Sequence, residues 1–132
     1  MIYHIAVAAD WDKALGDGAY TTSTRGVSLA EQGFIHASTE RQVAFVANSY
    51  YKDVPGLLLL VIDTARLTAP VRYDDVPGSD EPFPHIYGPL NVDAVIATAP
   101  LEAGPDGTFA FPSPEHPRED ERSIPPAARP AH

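Results

Sequence analysis

The residues best suited to chemistry in this sequence are three histidines, His4, His36 and His85, each within a strand-like segment. A neutral imidazole donates a hydrogen bond through one nitrogen and accepts through the other, and it titrates near neutral pH. A histidine in mid-strand is therefore either a satisfied core residue or part of a site. Because three such residues would each need a separate structural reason, the pattern favours one shared small-molecule site.

The segment 82–90 carries the third histidine and is bracketed by prolines, which restrict its backbone to extended geometry. Alternation then places His85 and Tyr87 on the same face. Two compatible interpretations follow. The segment is a rigid edge strand whose prolines prevent further pairing, or it is a preorganised wall that presents His85, Tyr87 and Glu81 to a ligand.

Other polar residues follow the second histidine. His36 and Ser38 share a strand face, and Thr39 with Gln42 has the spacing of a capping box that opens a helix. The sequence contains no phosphate loop, nucleophile elbow or other standard local motif. A three-histidine metal site is an alternative, but the usual close histidine pair is missing, so we expect no metal.

Hydrophobic periodicity predicts the strands that position these residues. They are expected at 2–7, 34–38, 57–62, 71–73, 85–87 and 92–98, with a hairpin over 101–111 around Gly-Pro-Asp-Gly. The run 57–62 is continuously apolar, which is typical of a strand covered on both faces. Since helices come early and strands late, the order favours an α+β domain.

Two helices are predicted. The first has Asp10 as its N-cap and Trp11 as a core anchor. The second follows Thr39 and ends near Lys52. Its apolar stripe consists of Val43, Val46, Ala47 and Tyr50, so Tyr50 is expected to be buried and Tyr51 is not. Asp63, Asp74 and Asp75 are interpreted as strand-end and turn residues.

Length and composition limit the number of domains, the class of ligand and the location of the protein. The 132 residues fit one domain, 1–111, followed by a proline-rich segment, 112–132, that we predict to be a flexible tail. The net charge of −9 argues against general nucleic-acid affinity, although Arg25 and Arg41 are candidates for phosphate contacts. The chain has no cysteine, no long apolar run and no signal-like start. These features predict a cytoplasmic protein without membrane association.

Three blocks of sequence resemble a known family. Ile2-Tyr3-His4-Ile5, the segment 33–39, and Glu81 with the segment 83–90 are similar to the bacterial "domain of unknown function 952" family. The likeness continues through 59–67 and 92–96, so it covers about 1–99. One departure is Ala37, where the family often has cysteine.

The resemblance implies a fold and a site. The family is thought to be a small relative of the ADP-ribosyltransferase fold, a split antiparallel β-sheet with short helices that binds NAD in a central cleft. Three site positions lie on three strands of that fold. The resemblance implies that His4 takes the first, His36 with Ser38 the second, and either Glu81 or His85 the third.

The same resemblance implies a function, namely binding of NAD or another nucleotide with ADP-ribosyl or related transfer, by a transferase or glycohydrolase. The implied catalytic residues are Glu81, His85 and His36, and the implied ligand contacts are His4, Ser38, Thr39 and Tyr87. If His85 fills the third position, the site is similar to the His-His group that includes RNA 2′-phosphotransferases. A non-catalytic nucleotide or small-ligand binding module is the alternative, and no protein partner is implied.

Overall fold

The computed structural model describes residues 1–24 and 26–112. Arg25 and nearly all of the predicted tail 112–132 lie outside the described residues, so those two predictions stay predictions. Within the described ranges, no helix is both long and apolar enough to cross a membrane.

The described residues form short helices and antiparallel strands, which confirms a mixed α and β domain. The strands are β1 (Ile2–Val7), β2 (Ala19–Tyr20), β3 (Thr22–Thr24), β4 (Val27–Ser28), β5 (Ile35–His36), β6 (Leu57–Ile62), β7 (Val71–Asp74), β8 (Phe83–Ile86), β9 (Leu90–Asn91) and β10 (Val95–Leu101). The helices are α1 (Ala8–Asp17), α2 (Leu29–Gln32) and α3 (Val43–Tyr50), with 3₁₀ turns at Glu40–Gln42, Thr64–Arg66 and Val92–Ala94.

Two three-stranded antiparallel sheets organise the domain, in the orders β1-β6-β10 and β5-β8-β7. They meet at an isolated bridge between Tyr3 and Ser38. There the Tyr3 N–H donates to the Ser38 carbonyl at 2.8 Å, and the Ser38 N–H donates to the Tyr3 carbonyl at 2.7 Å. The bridge places the first and second histidine strands side by side.

Strand β6 is buried on both faces, as its sequence predicts. Leu57, Leu59 and Val61 belong to one core cluster, whereas Leu60 and Ile62 belong to the other. Because consecutive side chains point to opposite faces, one continuous apolar strand contributes to two cores.

The first helix begins earlier than predicted. It starts at Ala8, directly after β1, and Val7 occupies the N-cap position without a side-chain hydrogen bond. The prediction of Asp10 as N-cap is therefore wrong. Asp10 lies in the first turn, where its carboxylate interacts favourably with the helix dipole. Trp11 is buried, as expected.

The end of α3 corrects the assignment of two tyrosines. Tyr50, predicted to be buried, is 62% exposed, whereas Tyr51, predicted to be outside the stripe, is only 3% exposed. Tyr51 follows the last helical residue and has φ −124° and ψ 15°. Since it has left helical geometry, helical periodicity no longer sets the direction of its side chain.

The prediction of a hairpin over 101–111 is wrong. Strand β10 ends at Leu101, and Gly-Pro-Asp-Gly forms a tight turn in which the Gly104 N–H donates to the Thr108 carbonyl at 2.8 Å. Beyond the turn, the Asn48 side chain accepts from the Phe109 N–H at 2.8 Å and donates to its carbonyl at 3.0 Å. A helix side chain thus takes the place of a partner strand.

The interpretation of 82–90 as an edge strand is also wrong, because β8 is the central strand of its sheet, between β5 and β7. Its proline, Pro84, lacks an N–H but accepts a hydrogen bond from the Ala37 N–H at 3.1 Å. The predicted strand at 34–38 is reduced to Ile35–His36, with Ser38 beyond it in the bridge.

Candidate functional site

A pocket of about 270 Å³ opens beside the junction of the two sheets. Strands β1, β5 and β8, helix α3 and the loop before β8 form its walls. It is lined by His4, Ile5, Thr24, His36, Ala37, Ser38, Phe45, Val46, Tyr50, Tyr51, Val76, Pro77, Gly78, Ser79, Phe83 and His85. The structure therefore brings the three histidines of the sequence analysis to one pocket.

His4 uses both ring nitrogens within the protein. Its Nδ1–H donates to the His36 carbonyl at 2.5 Å, so a neutral ring accepts at Nε2 from the Tyr20 hydroxyl at 2.9 Å. The residue is 3% exposed, and burial lowers its pKa to about 4, against the opposing effect of the His36 hydrogen bond. The imidazole thus stays neutral and joins β1, β2 and β5.

His36 and His85 face each other across the pairing of β5 with β8. Their ring centroids are 5.1 Å apart and the rings are nearly perpendicular. The His36 side chain is half-buried, and no partner for its ring nitrogens is found in the described part of the chain. Burial lowers the pKa of His36, and the nearby His85 lowers it further.

His85 is held on several sides. Its Nδ1 lies 2.8 Å from Asp74 Oδ2, and the Phe34 ring stacks on it at 4.1 Å with an interplanar angle of 15°. The side chain is 3% exposed. Its Nε2 is buried and has no hydrogen-bond partner among residues 1–24 and 26–112. His85 therefore lines the pocket with an imidazole that is fixed in place and whose buried Nε2 is left unused.

Tyr87 does not line the pocket. Its hydroxyl donates to Asp74 Oδ2 at 2.5 Å, the same oxygen that His85 contacts. The hydrogen bonds from Tyr87 and His85 lower the pKa of the Asp74 carboxyl, and the bond to Asp74 raises the pKa of Tyr87. The Arg72 guanidinium lies 5.1 Å from the Tyr87 ring centroid. Asp74, interpreted from the sequence as a strand-end residue, is thus in direct contact with a pocket histidine.

The remaining predicted site residues divide between the pocket and its surroundings. Ser38 is 5% exposed and lines the pocket. Thr39 does not line it, and its N–H donates to the Gln42 side chain at 2.9 Å, one half of the predicted capping box. Glu81 also lies outside the pocket lining and pairs with Arg41 at the surface.

Aromatic side chains form the rim and one wall of the pocket. Phe45 and Tyr50 are 55% and 62% exposed, and the Tyr51 hydroxyl lies 3.0 Å from Thr24 Oγ1. The described lining residues include no lysine, arginine, aspartate or glutamate. Nor do the described ranges contain a group of three or more histidine, cysteine, aspartate or glutamate side chains that could hold a metal.

The family described as "Protein of unknown function (DUF952)" matches residues 5–98. The crystal structure of protein CC0527 from Caulobacter crescentus is similar, with a TM-score of 0.72, 30% identity, and 83% of this chain and 92% of that chain covered. The solution structure of the same protein has a TM-score of 0.67 and 30% identity, with 86% and 90% covered. No curated protein matches.

These comparisons confirm the predicted resemblance to the DUF952 family. They give no evidence for a relationship to the ADP-ribosyltransferase fold, for nucleotide binding or for ADP-ribosyl transfer. Those parts of the sequence analysis stay predictions.

Proposed function

Since the chain belongs to the family described as "Protein of unknown function (DUF952)", we propose its function from the site itself: the pocket binds the nucleoside part of a nucleotide such as NAD. One observation carries the proposal. His36 and His85 are opposed on paired strands in the wall of a pocket with an aromatic rim. Such a wall offers hydrogen-bonding nitrogens beside flat apolar surfaces, which matches a sugar attached to a planar ring.

The size and chemistry of the pocket fit one nucleoside. Its volume of about 270 Å³ is just below the range of about 300–1,000 Å³ that is usual for small-molecule sites, so it suits half of a dinucleotide rather than the whole. Phe45 and Tyr50 offer faces for a nicotinamide or adenine ring. The Ser38 hydroxyl and the unpartnered Nε2 of His85 suit ribose hydroxyls. The phosphates extend towards solvent.

Transfer chemistry at this site uses His85 as the base. Water, or the hydroxyl of an acceptor, takes the place of the ribose hydroxyl at Nε2 of His85 and attacks C1′ of the nicotinamide ribose, and its proton passes to that nitrogen. Nicotinamide leaves as a neutral molecule with the electron pair of the broken C1′–N bond. The Asp74 carboxylate, 2.8 Å from Nδ1, stabilises the imidazolium that forms.

A second candidate is a binding module without catalysis, and the position of Glu81 favours it. The Glu81 carboxylate pairs with Arg41 outside the pocket lining. It does not face the position where positive charge develops on the ribose during bond cleavage. An anion placed there is a large source of transition-state stabilisation.

Titration calorimetry with NAD and with nicotinamide riboside tests the proposal. We expect wild-type protein to bind and His36→Ala to bind about tenfold more weakly or worse. The control Tyr73→Ala, at an exposed position outside the pocket lining, should bind as wild type does. No heat at millimolar ligand would overturn the proposal.

Chromatographic detection of nicotinamide after incubation with NAD separates the two candidates. Release that is lost in His85→Gln supports transfer chemistry. Binding without any release, in wild type, identifies the binding module instead.

A further inference from the structure

We propose that Asp74 is a positioning residue that fixes the His85 proton on Nδ1, so that Nε2 is offered to the pocket as an acceptor for a ligand O–H or N–H group. The inference rests on the proposed function and narrows it, because it names the ligand group that the buried imidazole takes. It concerns the carboxylate of Asp74, whose position at a strand end gives by itself no reason to assign it to the site.

The proton on Nδ1 follows from the partners of the carboxylate. Asp74 Oδ2 accepts from the Tyr87 hydroxyl at 2.5 Å and lies 2.8 Å from His85 Nδ1. The two hydrogen bonds hold the pKa of Asp74 below its usual range, so the group is ionised near neutral pH. An ionised carboxylate only accepts hydrogen bonds. His85 must therefore donate through Nδ1, and in the neutral ring Nε2 carries the lone pair.

The unused nitrogen is the second observation. His85 is 3% exposed, and its Nε2 finds no partner in the described part of the chain. Buried polar atoms are nearly always paired, so an unpaired one in a pocket wall calls for an explanation. A ligand that donates to Nε2 supplies the missing hydrogen bond.

Packing holds the plane of the His85 ring, and the hydrogen bond between Nδ1 and Asp74 sets which edge of the ring faces the carboxylate. Phe34 stacks against one face of His85 at 4.1 Å, and the His36 ring lies edge-on at 5.1 Å. Because the Tyr87 hydroxyl donates to the same Asp74 oxygen, two hydrogen bonds fix the position of Oδ2. Supporting groups that orient an imidazole in this way set its tautomer and its basicity.

Nitrogen-15 NMR of the histidine side chains tests the tautomer without any ligand. In wild type, the neutral His85 ring should carry its proton on Nδ1. In Asp74→Ala no acceptor faces Nδ1, so the proton should move to Nε2, the tautomer that a neutral histidine side chain without such a partner favours. Asp75→Ala, at the exposed neighbouring carboxylate, and Tyr87→Phe should both keep the wild-type tautomer.

A wild-type His85 with its proton on Nε2 would overturn the inference, and so would an unchanged tautomer in Asp74→Ala. Either result leaves the calorimetric test of nucleoside binding unaffected, so the two proposals fail separately.

Titration with nicotinamide riboside tests the ligand class. The Nε2 resonance of His85 should shift on binding to wild type, and Asp74→Ala should bind about tenfold more weakly or worse, because the Nε2–H of His85 then faces the donor of the ligand. If the probe shifts the ring signals of Tyr50 but leaves Nε2 unchanged, the donor assignment is wrong. If the probe does not bind at all, the proposed function fails and the tautomer measurement alone decides the role of Asp74.

Discussion

His36 and His85 are directly opposed in the pairing of β5 with β8, and their rings meet at 5.1 Å with an interplanar angle of 89°. Two imidazoles this close resist being charged together, since like charges disfavour each other's protonated form. The strand pairing thus makes His85 one of the causes of the lowered pKa of His36.

The coupling predicts the effect of removing one charge. Burial and then His85 lower the pKa of His36. In His85→Gln the second cause disappears, so the pKa of His36 should rise, while burial keeps it below the ordinary histidine value. Titration of the His36 ring signals by NMR measures this. The remote charge change Lys13→Gln should leave the signals unmoved, and a fall in the His36 pKa on removing His85 would contradict the coupling.

A second prediction concerns His4 and stability against pH. The folded pKa is lowered from 6.5 to about 4, so the unfolded chain binds the proton more readily between these values. The contribution of neutral His4 to the free energy of unfolding is complete above pH 6.5. It decreases as the pH falls towards 4, by roughly 3 kcal/mol in all. Urea unfolding at pH 7.5, 6 and 5 should show the decrease.

The control for this prediction is His4→Gln, which should be less stable at pH 7.5 but lose less stability between pH 7.5 and 5. Some pH dependence of the stability should remain in this variant. The pKa of His36 is also lowered, so protonation of His36 at low pH also destabilises the folded protein. Wild-type stability that increases from pH 7.5 to 5 would contradict the assignment of His4 as a buried neutral imidazole.

Sequence periodicity predicted the extent of β1 and the double burial of β6, because strand geometry alternates regardless of what packs on it. It did not find Asp74, because an acidic residue at a strand end is also typical of a solvated turn. Its contact with His85 exists only once β7 and β8 pair across a loop. That pairing is a tertiary property and leaves no local pattern.

A third prediction concerns Tyr50 and Tyr51, whose burial is the reverse of that predicted from the sequence. Tyr51→Ala removes a side chain that is 3% exposed, and by analogy with other large-to-small core substitutions it should cost about 3 kcal/mol of unfolding free energy. Tyr50→Ala, the same change one residue earlier at a 62% exposed position, should cost less than about 0.5 kcal/mol. Chemical denaturation compares them. Equal losses would show that the helical stripe continues through Tyr50.

A fourth prediction concerns the surface pair of Arg41 and Glu81, whose side chains are 78% and 45% exposed. Glu81→Gln should cost less than about 1 kcal/mol of stability, because exposed ion pairs contribute little. Since Glu81 lies outside the pocket lining, binding of nicotinamide riboside should stay within about twofold of wild type. A loss of binding as large as that expected for His36→Ala would place Glu81, rather than His85, at the third site position.

The last prediction links the backbone after β8 to the site. Gly88 has φ 156°, and a Cβ added there would lie 2.8 Å from the Ala69 Cβ. Gly88→Ala should therefore cost about 2 kcal/mol or more, from backbone strain and from that overlap. Gly16→Ala, the same change inside α1 with no atom within 4 Å, should instead stabilise the protein by about 0.5 kcal/mol.

Thermal or urea unfolding of the two variants gives the stability difference, and Gly88→Ala has a further consequence. Gly88 directly follows Tyr87, whose N–H donates to the Pro70 carbonyl at 2.9 Å and whose hydroxyl holds Asp74. A shift of the backbone at this point moves the Tyr87 hydroxyl, so the ring signals of His85 should change in Gly88→Ala and stay unchanged in Gly16→Ala. Unchanged His85 signals in both variants would show that the hydrogen-bonded set of Asp74, Tyr87 and His85 is positioned independently of this turn.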